Sequence, residues 1–416
     1  MITRRKLLVP ILIAVITIGI LVPVLLRRGP SDDTIYYTGD TDFTTSLIVG
    51  ANQKVVFRNG EFNFTGGANL TVFGMLTMLN VIFHGDLTAL ANGIVLLDTT
   101  TVNSTLTFEG NSIGTIQNAE IRCEITAKDS AIVSINNSEV TSLVSYTSAL
   151  IAVQDCWATD LTLDGDALIT ATNLSISNDL DTYGQVVAQL DNVTVTNDFI
   201  SHQNSNVTLT NAAIIHNLDG NDASKLTLVN VTIGWNSLFY QTTEVSMIYC
   251  SIAGSYYYSS CLATLTNVTS TDIMVLYGGH VNIINSSVGQ IIPDGAVSSN
   301  GVVTIDNNII SGTGSYRNAG TYTLINSTYT ALIPLLWFVG GTSTANATIN
   351  NSNYGSMGQN GFSNTTIDNS TIDLLRLYDS SFAVILPLSY ITVLELYDTS
   401  DYYNSTPNIG TIWDFR

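Results

Sequence analysis

The sequence predicts an all-β solenoid of about nineteen coils, each 18 or 19 residues long, that follows one N-terminal transmembrane helix. Three observations lead to this prediction. A short phrase, apolar-x-apolar-x-Asn-x-x-apolar, returns at nearly constant spacing. The apolar residues of each copy alternate with polar ones, and an uncharged apolar run fills residues 7–26, from Leu7 to Leu26.

The repeat is defined by the position of its Asn. Eleven of the thirteen steps between successive copies are 18 or 19 residues, and the steps of 22 and 25 residues indicate inserted loops. Weaker copies at Asn59, Asn80, Thr99 and Leu388 extend the array toward both ends. Asp155 and Tyr249 stand at two of the full copies, and the other twelve carry Asn118, Asn137, Asn173, Asn192, Asn211, Asn230, Asn267, Asn285, Asn307, Asn326, Asn351 and Asn369.

Each copy has the pattern of a strand, a tight turn and a second strand. Val207 and Leu209 alternate with polar residues before Asn211, and an apolar side chain returns at Ile214. Residues between the copies are rich in Thr, Ser, Val, Tyr and Gly, and runs of strong helix formers are missing. The coil is therefore predicted to contain strands and turns only.

The Asn is expected to stabilise one corner of the coil. Stacked in successive coils, its amide can bond turn backbone and the Asn above and below, and Asn tolerates left-handed backbone better than other residues with a Cβ. Because it stands in phase with the apolar positions, the sequence predicts an internal Asn ladder.

A helix-free coil of this length resembles the right-handed parallel β-helix superfamily, which includes pectate lyases and the passengers of autotransporter adhesins. The resemblance covers about nine tenths of the chain. Leucine-rich repeats place their Asn differently and are longer, left-handed helices need strict hexapeptides, and calcium-binding nonapeptide rolls need a GGxGxDxUx motif that is missing here. The resemblance implies a parallel β-helix that either adheres to a surface or cleaves polysaccharide.

The predicted organisation has three parts. Residues 1–28 form a cytoplasmic tip and membrane anchor with its span at 7–26, residues 29–35 a stalk, and residues 36–416 the β-helix ectodomain. Arg4, Arg5 and Lys6 outweigh Arg27 and Arg28, which favours an inside amino terminus and an extracellular ectodomain. A cleavable signal peptide is the alternative, although no small-x-small cleavage site follows the apolar run.

Charge narrows the choice of partners. Five of the 13 basic residues lie in residues 1–28, so the remaining chain has 8 basic against 33 acidic residues, a net charge of −25. Nucleic acid is an unsuitable partner for that surface. Surface glycans or proteins are the expected partners besides the membrane, and an acidic, anchored, sequon-rich protein suits an archaeal envelope.

Sixteen N-x-S/T sequons support an extracellular location. Seven have their Asn at the ladder position, where a buried Asn followed by a β-branched residue would arise for structural reasons alone. The other nine are the predicted glycosylation sites: Asn63, Asn69, Asn103, Asn136, Asn206, Asn346, Asn350, Asn364 and Asn404.

The four cysteines have no metal-binding spacing. Cys250 and Cys261 share one coil and could form a disulfide, whereas buried free thiols are the alternative. No cofactor is expected, with calcium the one possibility.

An acidic strip is the best candidate for a binding site. Asp164, Asp166, Asp181, His202, Asp219 and Asp222 fall 8 to 11 residues after their ladder positions in four successive coils, which should bring them to one edge. Such carboxylates can hold calcium or contact a glycan, and the alternative is that Asp and Gly only form turns. No catalytic residue is assigned, because GxSxG, HExxH and phosphate-loop motifs are missing.

Two functions are consistent with the sequence. The first is a non-enzymatic, membrane-anchored surface rod that serves adhesion, the envelope or glycan binding. The second is an anchored polysaccharide lyase or glycoside hydrolase that acts through the acidic face. The low content of basic residues favours the first.

Overall fold

The computed structural model describes residues 34–276, 279–294, 301–306, 309–310, 314–317, 320–325, 327–329, 335–405 and 409–416. The predicted anchor and the ladder residues Asn307 and Asn326 lie outside these ranges. The chain divides into two compact units, one up to Val193 and one from Thr194 onward. Within the described residues, no helix has the length and apolarity needed to cross a membrane.

The first unit is built from strands that pair in parallel with the coil before and the coil after. Its first strand begins at Thr34, inside the predicted stalk. The strands are β1 (Thr34–Thr38), β2 (Thr41–Phe43), β3 (Leu47–Val49), β4 (Lys54–Phe64), β5 (Leu70–Val72), β6 (Met75–His84), β7 (Leu87–Ala89), β8 (Ile94–Val102), β9 (Leu106–Phe108), β10 (Ile113–Gln117), β11 (Glu120–Ala127), β12 (Ile132–Asn136), β13 (Glu139–Ser145), β14 (Leu150–Leu163), β15 (Leu168–Ile176), β16 (Leu180–Thr182) and β17 (Val187–Val195).

The second unit repeats the same arrangement. Its described strands are β18 (Phe199–Ser201), β19 (Asn206–Thr210), β20 (Ala213–Ile214), β21 (Leu218–Gly220), β22 (Lys225–Val229), β23 (Thr232–Phe239), β24 (Glu244–Ile248), β25 (Ser251–Tyr258), β26 (Leu262–Thr266), β27 (Thr269–Leu276), β28 (His280–Ile284), β29 (Ser287–Asp294), β30 (Gly301–Asp306), β31 (Ile309–Ile310), β32 (Gly314–Arg317), β33 (Gly320–Ile325), β34 (Thr328–Tyr329), β35 (Leu335–Asn350), β36 (Asn353–Asp368), β37 (Thr371–Leu377), β38 (Phe382–Ile385), β39 (Tyr390–Leu396), β40 (Asp401–Asn404) and β41 (Ile409–Asp414).

Parallel pairing at one coil's distance confirms the predicted β-solenoid. Ile113 pairs with Ile132 in the first unit, and Leu226 pairs with Val245 in the second. The alternation in the sequence explains the core, since Leu226 and Leu228 of β22 are 0% exposed while Thr227 between them faces outward. Every described coil is made of strand and turn, and the described residues contain no helix.

The Asn ladder exists, but it is external, so the predicted internal position is wrong. The described full copies have φ between 43° and 57° at the ladder position, and the weaker copies at Asn59, Asn80, Thr99 and Leu388 are left-handed as well. The side chains are exposed, apart from half-buried Asn267. Asn137 Nδ2 donates to Asn118 Oδ1 at 2.8 Å, and Asn230 Nδ2 donates to Asn211 Oδ1 at 2.9 Å.

Left-handed backbone is the physical reason for this correction. In a continuous strand, Asn230 would share the inward phase of Leu226 and Leu228. A left-handed residue breaks the period of two, so the Asn turns outward and the following residue, Val231, turns inward with 1% exposure. Alternation is then restored at Ile233.

A second ladder, which the sequence pattern did not predict, lies inside at the position after the Asn in those coils where this position is polar, whereas residues such as Val231 fill it elsewhere. Ser138 Oγ accepts a hydrogen bond from Ala119 N at 3.1 Å and donates to Asn136 O at 2.7 Å. Ser352 and Ser370 form the same pair of bonds in the second unit. Buried hydroxyls therefore satisfy main-chain groups at the corner where the strand register is interrupted.

The cysteines are free thiols, so the candidate Cys250–Cys261 disulfide is not formed. Cys250 occupies the inner ladder position, where its Sγ donates to Ile248 O at 3.5 Å. Cys261 is 0% exposed, and burial raises the pKa of its thiol to about 12. Both side chains act as small core residues.

Candidate functional site

Two members of the predicted acidic strip form turns. The Oδ1 of Asp164 accepts a hydrogen bond from Gly165 N at 2.7 Å. Asp222 adopts a left-handed φ of 59°, and its Oδ2 accepts from Gln203 N at 3.2 Å. The turn interpretation therefore describes these two residues.

The strip does not converge on a calcium site. Asp166 is exposed, His202 is a half-buried turn residue, and Asp181 faces outward in β16, opposite Thr162. Among the residues that the structure describes, no three of the types His, Cys, Asp and Glu stand close enough together to hold a metal ion. These described side chains form no cluster of three such groups, and calcium binding at this edge stays a prediction.

Asp219 differs from the rest of the strip. It lies in β21 between the outward-facing Ile200 and Leu238 of the neighbouring coils, which shield it from water. Its Oδ1 is buried and accepts no hydrogen bond from any group that the structure describes. Burial, together with the negative charge of Asp198, raises the pKa of the Asp219 carboxyl to about 6.

A polar column borders Asp219. Asp198 Oδ1 accepts hydrogen bonds from the main-chain N of Asn217 at 3.0 Å and from its Nδ2 at 3.1 Å. Asn217 Oδ1 in turn accepts from Asn236 N at 3.4 Å. Side chains at equivalent positions of three successive coils are thus fixed in one line.

An exposed aromatic ring adjoins this column. Trp235 is 59% exposed, and its ring lies 4.9 Å from that of His216, centroid to centroid. His216 Nδ1 is 2.6 Å from Asn197 Oδ1, which fixes the imidazole beneath the indole. The rings are inclined to each other by 38°. The preceding residue, Gly234, permits the main chains of the two coils to approach closely here, since a Cβ there would lie 2.2 Å from Ile215 O.

Two stacked tyrosines lie beside Asp219. The rings of Tyr240 and Tyr258 stack at 4.6 Å with an interplanar angle of 11°. Burial, Tyr258 and Asp219 all raise the pKa of the Tyr240 hydroxyl. We call the surface formed by Trp235, His216, Asp198, Asn217, Asp219 and Tyr240 the Trp235 face.

Only Asp219 of the Trp235 face was predicted from sequence. The signal for the others was present, since Asn197, His216 and Trp235 lie five residues after their ladder positions and Asp198, Asn217 and Asn236 lie six after. The predicted strip covers offsets 8 to 11 and does not include this preceding corner.

The sequons are placed more favourably for modification than expected. Asn69, Asn136, Asn206, Asn346 and Asn364 are exposed, while Asn63, Asn103, Asn350 and Asn404 are half-buried. The sequence predicts that the Asn residues of the ladder sequons are buried, but the structure exposes Asn173, Asn192, Asn230, Asn285 and Asn369. Glycosylation stays a prediction at all of them.

A groove of ≈ 510 Å³ lies on a different set of strands of the second unit, β22, β24, β26 and β28. Its walls include Lys225, Glu244, Leu262 and His280. Lys225 Nζ lies 2.7 Å from Glu244 Oε2, so these two charges satisfy each other.

Comparison with known proteins adds no assignment. No family model, no curated protein and no solved structure matches this chain.

Proposed function

We propose that this is a non-enzymatic, membrane-anchored cell-surface protein that binds glycans through the Trp235 face. The observation that carries the proposal is the exposed indole of Trp235, fixed on His216 beside a line of polar side chains. Large exposed aromatic rings with ordered polar neighbours are typical of binding surfaces.

The chemistry of a sugar fits this combination. The apolar C–H face of a pyranose ring can cover the indole, which removes apolar surface from water. Sugar hydroxyls donate to carboxylates and exchange hydrogen bonds with amides, and both groups are present at Asp198 and Asn217. His216 and Asn197 hold the indole in place before the ligand arrives.

Location at the cell surface is supported by the sequence. The apolar run at residues 7–26, the charges around it and the sixteen sequons are all consistent with an anchored ectodomain. Protease added to intact cells should release the ectodomain. A mature protein found free in the medium, starting near Gly29, would contradict the anchor.

Binding is tested with a glycan array and calorimetry on the ectodomain. Trp235→Ala should abolish or weaken binding by at least about tenfold, since the stacking contact is lost. Trp157→Ala is the matched control, because Trp157 is 39% exposed on β14 of the other unit. Equal glycan binding by the Trp235→Ala and Trp157→Ala variants would contradict the proposal.

A second candidate function is a polysaccharide-cleaving enzyme. Asp219, with its pKa raised to about 6, could act as a general acid beside a second carboxyl group, that of Asp198, as paired carboxyl groups do in glycosidases. Release of reducing ends from a polysaccharide panel, lost in Asp219→Asn, would favour the enzyme. Binding without release supports the non-enzymatic function.

A further inference from the structure

We infer that the Trp235 face selects neutral glycans over acidic ones. This inference rests on the proposed glycan binding and names the substrate class.

The first step is charge. The four strands that carry and border the Trp235 face, β18, β21, β23 and β25, contain no Lys or Arg. Their outward groups include the carboxylate of Asp219, and that of Asp198 directly precedes β18. Lys225, which follows Asp219 in the same coil, is paired with Glu244 at 2.7 Å. A uronate ligand would therefore meet carboxylates without a compensating cation.

The second step is hydrogen bonding. A sugar hydroxyl is both donor and acceptor, whereas a carboxylate accepts only. Asp198 and Asp219 can accept from hydroxyls, and the amide of Asn236 can donate to them. The buried Oδ1 of Asp219, which accepts no hydrogen bond from the groups described, is an acceptor that a ligand hydroxyl could satisfy if the carboxyl becomes accessible on binding.

The third step is shape. Asn217, Asn236 and Gly254 occupy equivalent positions in successive coils, which in parallel strands lie roughly 4.8 Å apart. A Cβ at Gly254 would lie 2.9 Å from Asn236 Oδ1 and 3.5 Å from the Tyr256 ring. The space next to the buried glycine is thus filled by the Asn236 amide and bordered by the Tyr256 ring. A glycan chain lying across the strands would pass from Trp235 toward this amide and this ring.

The experiment compares three oligosaccharides of equal length by titration calorimetry on the ectodomain. One is neutral, one is a uronate and one is a cationic amino sugar, and each is measured at low and high salt. We expect the neutral ligand to bind at least about tenfold more tightly than the uronate. High salt should reduce this difference in affinity, because it screens the repulsion between the uronate and the carboxylates of the protein.

A double variant, Asp198→Asn with Asp219→Asn, tests the cause. It removes two negative charges while keeping side chains of similar size, so the ratio of uronate to neutral affinity should rise. Circular dichroism and thermal melting check that the variant is folded. If it does not fold, Asp219→Asn alone is measured in the same way, with a smaller expected change in that ratio.

The outcomes separate the two proposals. Tighter binding of the uronate than of the neutral ligand, lost in Trp235→Ala, overturns the selectivity and leaves glycan binding intact, whereas an amino sugar that binds at least as tightly as the neutral ligand supports the charge argument. An unchanged affinity ratio in the folded charge variant also overturns the selectivity. No binding of any ligand, or binding that Trp235→Ala does not affect, overturns glycan binding itself.

Discussion

At the residue scale, left-handed backbone decides where the Asn side chains go. Asn230 has φ of 56° and an exposed side chain that bonds Asn211. Its contribution to stability should therefore come mainly from tolerance of this conformation. The exposed hydrogen bond to its neighbour competes with water and adds less.

This gives a prediction for Asn230. A β-branched residue is poorly accommodated at positive φ, so Asn230→Val should lower the free energy of unfolding by about 1–2 kcal/mol, whereas Asn230→Gly should change it by less. Urea denaturation measures both. Asn206→Val, in an exposed strand position, is the control and should be nearly neutral. Equal losses for Gly and Val would show that the amide matters more than the backbone.

Asp219 gives a second prediction at this scale. Its folded pKa of about 6 exceeds the ordinary value of 3.8, so the folded state binds the proton more tightly. The penalty is present above pH 6 and disappears below about pH 4. The free energy of unfolding should therefore rise as pH falls from 7 to 4, by on the order of 1 kcal/mol after allowance for partial exposure.

Denaturation of the second unit at a series of pH values measures this effect. Asp219→Asn should remove the rise and stabilise the protein at pH 7. Asp222→Asn is the control, since Asn keeps the left-handed turn and that carboxylate bonds main chain. A pH profile that is the same in wild type and Asp219→Asn would contradict the prediction.

At the element scale, the inner hydroxyl ladder holds neighbouring coils together. Ser138 joins Ala119 N of the preceding coil to Asn136 O of its own coil, and it is 7% exposed. Cys156 and Cys250 occupy equivalent positions and donate to the same kind of carbonyl. Where this position is polar, a small side chain donates a hydrogen bond to the main chain, whereas apolar residues such as Val231 fill it in other coils.

We predict that Ser138→Ala costs about 1–3 kcal/mol of unfolding free energy, because it strands the main-chain N–H of Ala119, while Asn136 O keeps its hydrogen bond from Asn118 N. Ser138→Cys should cost less. Ser134→Ala, at an outward position of β12, is the control and should stay within about 0.5 kcal/mol. The comparison is made by chemical denaturation. A Ser138→Ala variant as stable as wild type would show that the inner ladder does not stabilise the protein.

At the scale of the whole unit, the 18- or 19-residue period decides which deletions the chain accepts without losing its strand register. Each coil contacts mainly its neighbours, so the stability of a solenoid is close to a sum over coils and their interfaces. Removing one complete coil should keep the pairing register, since strands such as β10 and β13 then meet equivalent partners.

The corresponding prediction concerns a deletion in the first unit. Removing residues 119–137, one full repeat from Asn118 to Asn137, should leave a folded β protein with a modestly lower melting temperature. Removing residues 119–128, about half a coil, should prevent cooperative folding, because inward and outward residues no longer line up. Circular dichroism and thermal melting distinguish the two. If both deletions fold equally well, the register is not what specifies the solenoid.

The sequence alone determined the coil, its period and most of its core. Alternating apolar residues and the recurring Asn depend on local chemistry, which a single chain displays directly. Where the buried positions differ from the simple alternation, the cause is also local. One left-handed residue per coil reverses the inward phase at Asn230 and brings Val231 inside, and alternation by itself does not reveal this reversal.

Only the tertiary structure assembled the candidate site. Asp198, Asn217 and Trp235 belong to three different coils, and their contacts depend on register between strands and on the geometry of one corner. Spacing in the sequence could align these residues, but it could not show which side chains stack, which are buried or which repel. Burial made Asp219 different from Asp222, although both are carboxylates beside a turn in the same coil. Chemistry at a surface depends on distances across coils, and those distances exist only after folding.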